Sequence, residues 1–143
     1  NVVEVVDLAL DIFPESDIEF RSNEAKITAK FDRAQLIRII TNLIKNAIQS
    51  IPDDRAPQIS VFLHSNDSEV IIEVKDNGSG INETIEDKIF EPKFTTKTSG
   101  MGLGLPMIKN IIETYNGSIK FSSIKDEGTQ FTVRFPKHST DAI

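Results

Sequence analysis

The sequence contains no cysteine and only two histidines among its 143 residues. Without cysteine the chain can form neither a disulfide nor a thiolate metal site, and two histidines are too few for a histidine-rich metal centre. Lysine and arginine are scattered and the net charge is −6, which argues against a nucleic-acid partner because binding to phosphates needs clustered positive charge. The longest apolar runs span only a few residues, so we expect no membrane contact by this part of the chain.

The residues that are present suffice for one domain, which we place at 1–137, followed by a frayed tail at 138–143. Hydrophobic residues make up 38% of the chain, enough for a single core. Helical spacing predicts helices at 2–13, 32–51 and 105–115, and alternation predicts hairpins at 18–31, 59–74 and 119–135. Since the helices do not alternate with single strands, the fold class is α+β: a two-layer sandwich with three helices on one face of a sheet.

The helix predicted at 32–51 carries two asparagines on its polar edge. Asn42 and Asn46 are one turn apart, so their side chains project side by side. Asparagine is a poor helix former, which makes the pair notable. For this helix alone, a solvated polar face and a functional pair both remain open.

Asp76 follows the strand predicted at 70–74 and precedes Gly78 and Gly80. One interpretation is an ordinary turn. The other is a carboxylate on a rigid strand end, beside backbone that a flat ring can approach. A carboxylate only accepts hydrogen bonds, so it would select a ring that bears an exocyclic amine.

A polar segment at 82–99 leads into a run of three glycines, Gly100, Gly102 and Gly104, just ahead of an apolar helix. Backbone without side chains can approach a ligand closely, and the first N–H groups of a helix are unpaired donors at the positive end of its dipole. With Lys93 and Lys97 upstream, this combination suits a polyphosphate. The alternative is a flexible loop ended by a helix, although so long a loop is typically functional or disordered.

Four motifs in a fixed order identify a family. They are Asn42-Leu-Ile-Lys-Asn46-Ala47, Asp76-x-Gly78-x-Gly80, Phe90-Glu-Pro-Lys-Phe94 and Gly100-x-Gly102-x-Gly104-Leu105. Their order and spacing resemble the N, G1, F and G2 boxes of the catalytic ATP-binding domain of bacterial sensor histidine kinases, within the GHKL superfamily that includes DNA gyrase B, Hsp90 and MutL. The resemblance covers nearly the whole chain. It implies a Bergerat-type sandwich with a mixed, mainly antiparallel sheet, and ATP and Mg²⁺ as cofactors.

The resemblance implies a role for each matching position. Asp76 is expected to accept from the adenine amine, and Thr129 to hold the water between this aspartate and the base. Asn46 is expected to bind Mg²⁺ directly through its amide oxygen, which suits a cation that prefers oxygen ligands. Asn42 is its neighbour in the same site. The full set of implied nucleotide contacts is Lys45, Asn46, Gln49, Asp76, Gly78, Gly80, Ile81, Phe90, Lys93, Phe94, Lys97, Gly100, Met101, Gly102, Leu103, Gly104, Leu105 and Thr129.

Within this set, the backbone from Gly100 to Gly104 is expected to cradle the phosphates, and Lys93 and Lys97 to contact the γ-phosphate. Phe90 and Phe94 match the aromatic box that anchors a lid and contacts the histidine-bearing domain.

Two positions depart from the family pattern. Gln49 stands where many relatives carry a basic residue one turn after the Mg²⁺ asparagine. Either Lys45 or a lid lysine substitutes for it, or phosphate binding is weaker. Lys93 occupies the middle of the F box, where aromatics are common, so the lid packing is expected to differ.

Asn42 distinguishes a kinase from an ATPase. The ATP-hydrolysing members of the superfamily place a glutamate four residues before the Mg²⁺ asparagine, where a carboxylate can activate water. Asparagine cannot accept that proton, whereas phosphoryl transfer to a partner's histidine depends mainly on positioning and charge neutralisation. We therefore expect a protein histidine kinase with Asn42, Asn46 and Lys97 as its catalytic residues.

The phosphoacceptor is expected outside this fragment. His64 lies in a predicted strand and His138 in the tail, whereas the family's acceptor lies on a long helical hairpin. The implied partners are the protein's own dimerisation domain and, for the full-length kinase, a response regulator. We expect the isolated domain to be a cytoplasmic monomer and the parent a homodimer, whether or not the parent is membrane-anchored. Two alternatives stay open: a degenerate nucleotide-binding module that senses or scaffolds, and a serine kinase of the anti-sigma type.

Overall fold

The computed structural model describes residues 2–11, 18–24, 27, 29, 31–80 and 101–137. Within these ranges lie three helices and five strands. They are α1 (Val2–Leu10), β1 (Ile18–Ser22), α2 (Arg33–Ser50), β2 (Ile59–Ser65), β3 (Glu69–Asp76), α3 (Met101–Thr114), β4 (Ser118–Ile124) and β5 (Gly128–Pro136). The predicted end of the first helix at residue 13, the polar segment at 82–99 and the tail at 138–143 lie outside the described residues.

The five strands form one mixed sheet in the order β1-β2-β3-β5-β4. β1 runs parallel to β2, and the other three pairs of neighbours are antiparallel. The hairpins predicted from the alternating segments at 59–74 and 119–135 are β2–β3 and β4–β5. A mixed, mainly antiparallel sheet is therefore confirmed.

The first predicted hairpin is wrong. β1 pairs with β2 in parallel, starting with Ile18 opposite Ile59. Ile27 and Ala29, in the expected second arm, belong to no strand. Ile27 is instead a core residue, 1% exposed, whose carbonyl accepts a bond from the N–H of Val2 at 2.7 Å. Alternation predicts a strand with one buried face, but it does not specify which strand lies beside it, because either neighbour would bury the same face.

Helix α2 begins where its capping residue predicts. The carboxylate of Asp32 accepts bonds from the N–H groups of Ala34 at 2.8 Å and Gln35 at 3.2 Å, which satisfies two of the donors that a helix start leaves free. The apolar stripe faces the core. Its buried members are Leu36, Ile39, Ile40, Leu43, Ile44 and Ala47. Each large one contributes about 1.5–3 kcal/mol relative to an exposed side chain, which outweighs the poor helix propensity of the asparagines.

Helix α3 ends at the predicted stop but begins earlier than predicted. Asn116 adopts a φ of 64°, and the N–H of Gly117 donates to the carbonyl of Ile112 at 2.9 Å, as in a left-handed helix end. The helix starts at Met101, so Gly104 lies within its first turns. Glycine costs a helix about 1 kcal/mol relative to alanine. This cost is smaller than the stabilisation that α3 gains from burial of the apolar residues that follow.

The three helices cover one face of the sheet: α1 packs on α2, α2 on α3 and β3, and α3 on β4. The inward-facing residues of the central strands are buried, among them Leu63, Ile72 and Val133. This confirms the two-layer α+β sandwich. It also brings the end of β3 at Asp76 against the C-terminal end of α2.

None of the helices in the described ranges is long and apolar enough to cross a membrane.

Candidate nucleotide-binding site

Asp76 is the last residue of β3, and its side chain points to the end of α2. Its Oδ1 accepts bonds from the N–H of Gly78 at 2.8 Å and from the hydroxyl of Ser50 at 3.3 Å. The residue is only 5% exposed, and this burial raises the pKa of Asp76, while hydrogen bonds from Gly78, Ser50 and the backbone of Thr129 oppose the increase. A buried carboxylate held by these bonds has a fixed orientation, which suits it to select a ligand that donates.

Two glycines around Asp76 are required by the protein's own packing. A Cβ on Gly78 would lie 2.7 Å from the backbone oxygen of Ser50 and 2.9 Å from Oδ1 of Asp76. Gly128 has a φ of +135°, and a side chain there would collide with the carbonyl of Asp76. Gly78 was predicted to let a ring approach, but its smallness is already needed in the absence of a ligand.

Thr129 lies opposite Asp76 in the β3–β5 register. It is 5% exposed, and its Oγ1 is 3.1 Å from Oγ of Ser123. The structure thus places Thr129 beside Asp76.

A clamp that the sequence analysis missed holds the turn at residues 77–80, here called the G1 turn. Nη1 of Arg55 donates to the carbonyls of Asn77 at 2.6 Å and Gly78 at 2.9 Å. The side chain of Asn77 donates to the carbonyl of Ala56 at 2.9 Å and accepts from the N–H of Gln58 at 2.8 Å. An arginine in a polar loop gives no sequence signal for this role, because its partners are backbone atoms distant in the chain.

Ser50, the last residue of α2, was also missed. Its carbonyl accepts the N–H of Ser79 at 2.9 Å, in addition to the contact of its hydroxyl with Asp76. On the other side of the turn, the carbonyl of Ser79 accepts the N–H of Asp126 at 2.8 Å. The position of Ser50, four residues after Asn46, was the only available signal.

The two asparagines of α2 differ in their surroundings. Asn46 is 6% exposed, and its Nδ2 is buried with no hydrogen-bond partner among the described residues. A solvated polar face therefore does not describe Asn46. Asn42 is half-buried and its Nδ2 donates to the carbonyl of Arg38 at 2.8 Å.

Helix α2 approaches the first turns of α3 at Asn42. A Cβ on Gly104 would lie 2.6 Å from Oδ1 of Asn42. Asn42, Asn46 and Ser50 follow one another at intervals of four residues, so they share one face of α2, and the first lies about 12 Å from the last along the axis. This line of side chains connects the first turns of α3 with Asp76.

The other residues predicted to contact the nucleotide differ in their position and burial. Lys45 and Gln49 are exposed on α2, and Leu105 is a core residue with 1% exposure. Gly80 has a φ of +80° at the end of the G1 turn. Met101, Gly102 and Leu103 are described only as part of helix α3. Outside the described residues lie Ile81, Phe90, Lys93, Phe94, Lys97 and Gly100.

A groove of about 850 Å³ lies near the same strand ends. Its lining includes Glu19, Ser60 and Lys75, which form one cross-strand row, and Lys75 is exposed where the neighbouring Asp76 is buried. The row therefore belongs to the face of the sheet away from the helices. Asp76 and Asn77 also line the groove, but its described lining includes no residue of α2 or α3. The asparagines and the start of α3 therefore lie outside it, and we do not assign the whole nucleotide to this groove.

No group of three or more His, Asp or Glu side chains that could hold a metal occurs in the described part of the chain. A metal carried by a nucleotide needs fewer protein ligands, because phosphate oxygens and water supply the others.

Comparison with known proteins identifies the domain. The sequence model of the family described as histidine kinase-, DNA gyrase B-, and HSP90-like ATPase matches residues 31–139. The chain is 42% identical over 106 residues to sporulation kinase A of Bacillus subtilis, covering 74% of this chain and 17% of that protein. It is 41% identical over 123 residues to the sensor histidine kinase ZraS of Salmonella typhimurium, covering 85% of this chain and 26% of that protein. The chain thus spans about a quarter or less of these two relatives.

Solved structures agree with the sequence relatives. The fold is similar to the catalytic domain of the histidine kinase ThkA in a nucleotide-free form, with a TM-score of 0.87 and 29% identity over 97% of this chain and 94% of that one. The mycobacterial sensor histidine kinase MprB matches with a TM-score of 0.76 and 25% identity over 94% of each chain. This chain belongs to the histidine kinase-, DNA gyrase B- and HSP90-like ATPase family and has the fold of a histidine kinase catalytic domain.

Proposed function

We propose that this chain binds Mg²⁺-ATP and transfers the γ-phosphate to a histidine on a separate dimerisation domain. The observation that carries the proposal is the line of Asn42, Asn46 and Ser50 on α2, which has Asp76 at one end and Gly104 at the other. A nucleotide whose base lies at Asp76 would extend its phosphates along this line to the start of α3. The kinases named above support the reaction type.

Asp76 is proposed to select adenine. Its Oδ1 already accepts bonds from Gly78 and Ser50, so we expect Oδ2 to accept the bond from the adenine amine. Guanine presents a carbonyl at the corresponding position, and two facing acceptors would leave both without a donor, at a cost of about 1–3 kcal/mol. Thr129 is proposed to hold a water beside the base.

Asn46 is proposed to hold Mg²⁺ together with the phosphates. Its buried amide has an unpartnered nitrogen, and rotation by 180° exchanges the nitrogen and the oxygen, so the same side chain can present Oδ1 to a cation. When bound, Mg²⁺ neutralises charge that develops on the phosphoryl oxygens. The N–H groups at the start of α3 would contact phosphate oxygens, and the roles of Lys93, Lys97 and Gly100 are proposed from the family resemblance alone.

Asn42 favours a kinase over an ATPase, since its amide cannot accept a proton from water. Its Nδ2 is bonded to the carbonyl of Arg38 at 2.8 Å, which leaves its oxygen toward Gly104 and the proposed phosphate end. Asn42 is therefore proposed to position the glycine run, and the nucleophile is proposed to come from the partner domain.

The acceptor is proposed to lie outside this chain. His64 is in β2, with Nε2 3.2 Å from Glu73 and its ring stacked on Phe62 at 4.5 Å. A histidine held within a sheet is poorly placed to enter another active site. We propose that the full-length protein is a dimeric kinase with a response regulator as its partner.

Calorimetry with Mg²⁺-ATP and Mg²⁺-GTP tests the binding half of this proposal. We expect ATP to bind at least about tenfold more tightly than GTP, the ratio that corresponds to about 1.4 kcal/mol. Equal affinities would contradict the role of Asp76. The transfer half is tested by adding the dimerisation domain of the same protein and γ-labelled ATP, with the expectation of an acid-labile phosphate on that domain and none on this one.

A further inference from the structure

We propose that Arg55 is a positioning residue for nucleotide recognition, which acts through the backbone of the G1 turn to fix Asp76. The inference rests on the proposed function, in which Asp76 receives the base. Its basis is the geometry of two consecutive peptide groups, each held from both sides.

The first peptide group joins Asn77 to Gly78. Its carbonyl accepts a bond from Nη1 of Arg55 at 2.6 Å, and its N–H donates to Oδ1 of Asp76 at 2.8 Å. The carbonyl and N–H of a planar trans peptide point in opposite directions. A donor that holds the carbonyl on one side therefore directs the N–H to the carboxylate on the other.

The second peptide group joins Gly78 to Ser79. Its carbonyl accepts from the same Nη1 at 2.9 Å, and its N–H donates to the carbonyl of Ser50 at 2.9 Å. One guanidinium nitrogen thus holds both carbonyls, while Asp76 and the last residue of α2 receive the two N–H groups. The turn cannot rotate either peptide without breaking a bond on each side.

Arginine suits this position because a guanidinium carries several charged donors in a fixed plane. Hydrogen bonds from a charged donor are about twice as strong as neutral ones. Arg55 is half-buried, and no carboxylate among the described residues forms an ion pair with it. Its Nη1 therefore bonds to the turn instead of a surface ion pair.

The side chain of Asn77 strengthens the connection. It donates to the carbonyl of Ala56 at 2.9 Å and accepts from the N–H of Gln58 at 2.8 Å, so two further bonds join the segment that carries Arg55 to the G1 turn. Arg55 touches neither the base nor the phosphates in this scheme. It determines how the oxygens of Asp76 are presented.

The test compares nucleotide affinity in the 143-residue chain and three variants. Arg55→Gln removes the charge and the paired donors, and we expect it to weaken ATP and ADP binding by the same factor, about tenfold, which corresponds to about 1.4 kcal/mol. Equal factors are expected because the effect acts at the base and not at the phosphates. Arg55→Lys keeps the charge without the planar fork and should retain part of the affinity. The control is Arg134→Gln, which removes an equal charge from the pair with Glu69 and should leave affinity unchanged.

The pH dependence of binding provides a readout that a loss of stability alone would not move. Asp76 must be ionised to accept, so binding weakens as pH falls through its pKa. Lys75 precedes Asp76 in β3, and the segments bonded to the G1 turn carry Arg55 and Asp126, which Glu127 follows. Helix α2 presents the uncharged hydroxyl of Ser50. The hydrogen bond from the N–H of Gly78 lowers the pKa of Asp76, so loosening that N–H by removing Arg55 should raise this pKa. In Arg55→Gln the loss of binding should begin at a higher pH, with the titration of the nucleotide itself common to all variants.

The outcomes separate the two proposals. If the unchanged chain does not bind ATP, the proposed function fails. If it binds ATP and Arg55→Gln binds equally well, or if Arg134→Gln causes the same loss, only the role of Arg55 is overturned. Should Arg55→Gln fail to fold, Arg55→Lys decides: faster hydrogen exchange at Gly78 and Ser79 with weaker binding supports the role, and unchanged exchange and affinity reject it.

Discussion

The two ends of the line from Asn42 to Ser50 on α2 are built differently. At its C-terminal end, Ser50, Arg55 and Asp76 hold the G1 turn with hydrogen bonds from within the protein. One and two turns earlier, Asn46 has a buried nitrogen without a partner among the described residues, and Asn42 faces Gly104 through its side-chain oxygen. The first end, here called the complete end, has its acceptor already fixed by bonds within the protein. The second, here called the incomplete end, has a buried polar atom without a partner among the described residues.

This difference indicates how binding is divided. A preformed acceptor loses little entropy when the base arrives, so it supplies selectivity at low cost. An unpaired buried amide costs about 1–3 kcal/mol while it has no partner, and a ligand that supplies one removes this cost. We therefore expect the base end to determine which nucleotide binds, and the phosphate end to determine whether phosphate is transferred.

The largest expected effect is at the incomplete end. Asn46→Ala should reduce phosphate transfer to the dimerisation domain by at least about 100-fold, as for loss of a group that stabilises transition-state charge. The folded domain should lose little stability, because the Nδ2 atom makes no hydrogen bond within the described residues. Transfer is measured with γ-labelled ATP and stability by thermal unfolding.

Asn110→Ala is the matched control, since Asn110 is an exposed asparagine of α3. Transfer that survives in Asn46→Ala, or that falls equally in the control, would remove Asn46 from the site.

The complete end is tested by Asp76→Asn. The new amide can still accept from Gly78, but it presents a donor where the adenine amine also donates. We expect ATP binding to weaken about 10–100-fold, from about 1–3 kcal/mol for an unpaired group. Calorimetry measures this, with Asp67→Asn in the exposed β2–β3 turn as the control. An unchanged affinity would contradict the assignment of the base to Asp76.

Two glycine substitutions compare the rigidity of the two ends directly. A Cβ on Gly78 would meet the backbone oxygen of Ser50 at 2.7 Å. Among the described residues, a Cβ on Gly104 would meet the side-chain end of Asn42, at 2.6 Å, and no backbone. Backbone cannot move aside as a side chain can, so Gly78→Ala should lower the free energy of unfolding by about 1–3 kcal/mol, and Gly104→Ala by less. Chemical denaturation of both variants checks the order, and a larger loss in Gly104→Ala would refute the comparison.

The smallest expected effect is the dependence of stability on pH. Burial raises the pKa of Asp76 above its usual value of 3.8, so the folded state binds its proton more tightly than the unfolded state does. Stability attributable to this group therefore falls as pH rises from 3.8 through the folded pKa, and ionised Asp76 is destabilising above it.

Asp76→Asn carries no such cost. Without nucleotide it should unfold a few degrees above the unchanged domain at neutral pH, and the difference should shrink as pH falls toward 3.8. Thermal unfolding over a pH series measures both proteins. A difference that is independent of pH would show that the charge of Asp76 is not its cause.

Much of the fold and the site could be predicted from local patterns. The Asp32 cap, the stripe on α2 and the left-handed stop at Asn116 depend on neighbours within a few residues, so the sequence displays them. Asp76, Thr129 and the asparagines were placed by motif spacing, and the structure brings Thr129 beside Asp76 and Asn42 beside Gly104.

Contacts distant in the chain were not predictable in this way. The composition and the period of its apolar residues were enough to establish a two-layer sandwich, because burial of one face is a property of each segment alone. The parallel pairing of β1 with β2, the clamp from Arg55 and the contact of Ser50 with Asp76 were determined only by tertiary packing. The bond from Arg55 joins a side chain to a backbone carbonyl 22 residues away, and the bond from Ser50 joins two side chains 26 residues apart. Contacts at such separations leave no periodic signal, and a backbone carbonyl is the same in every residue.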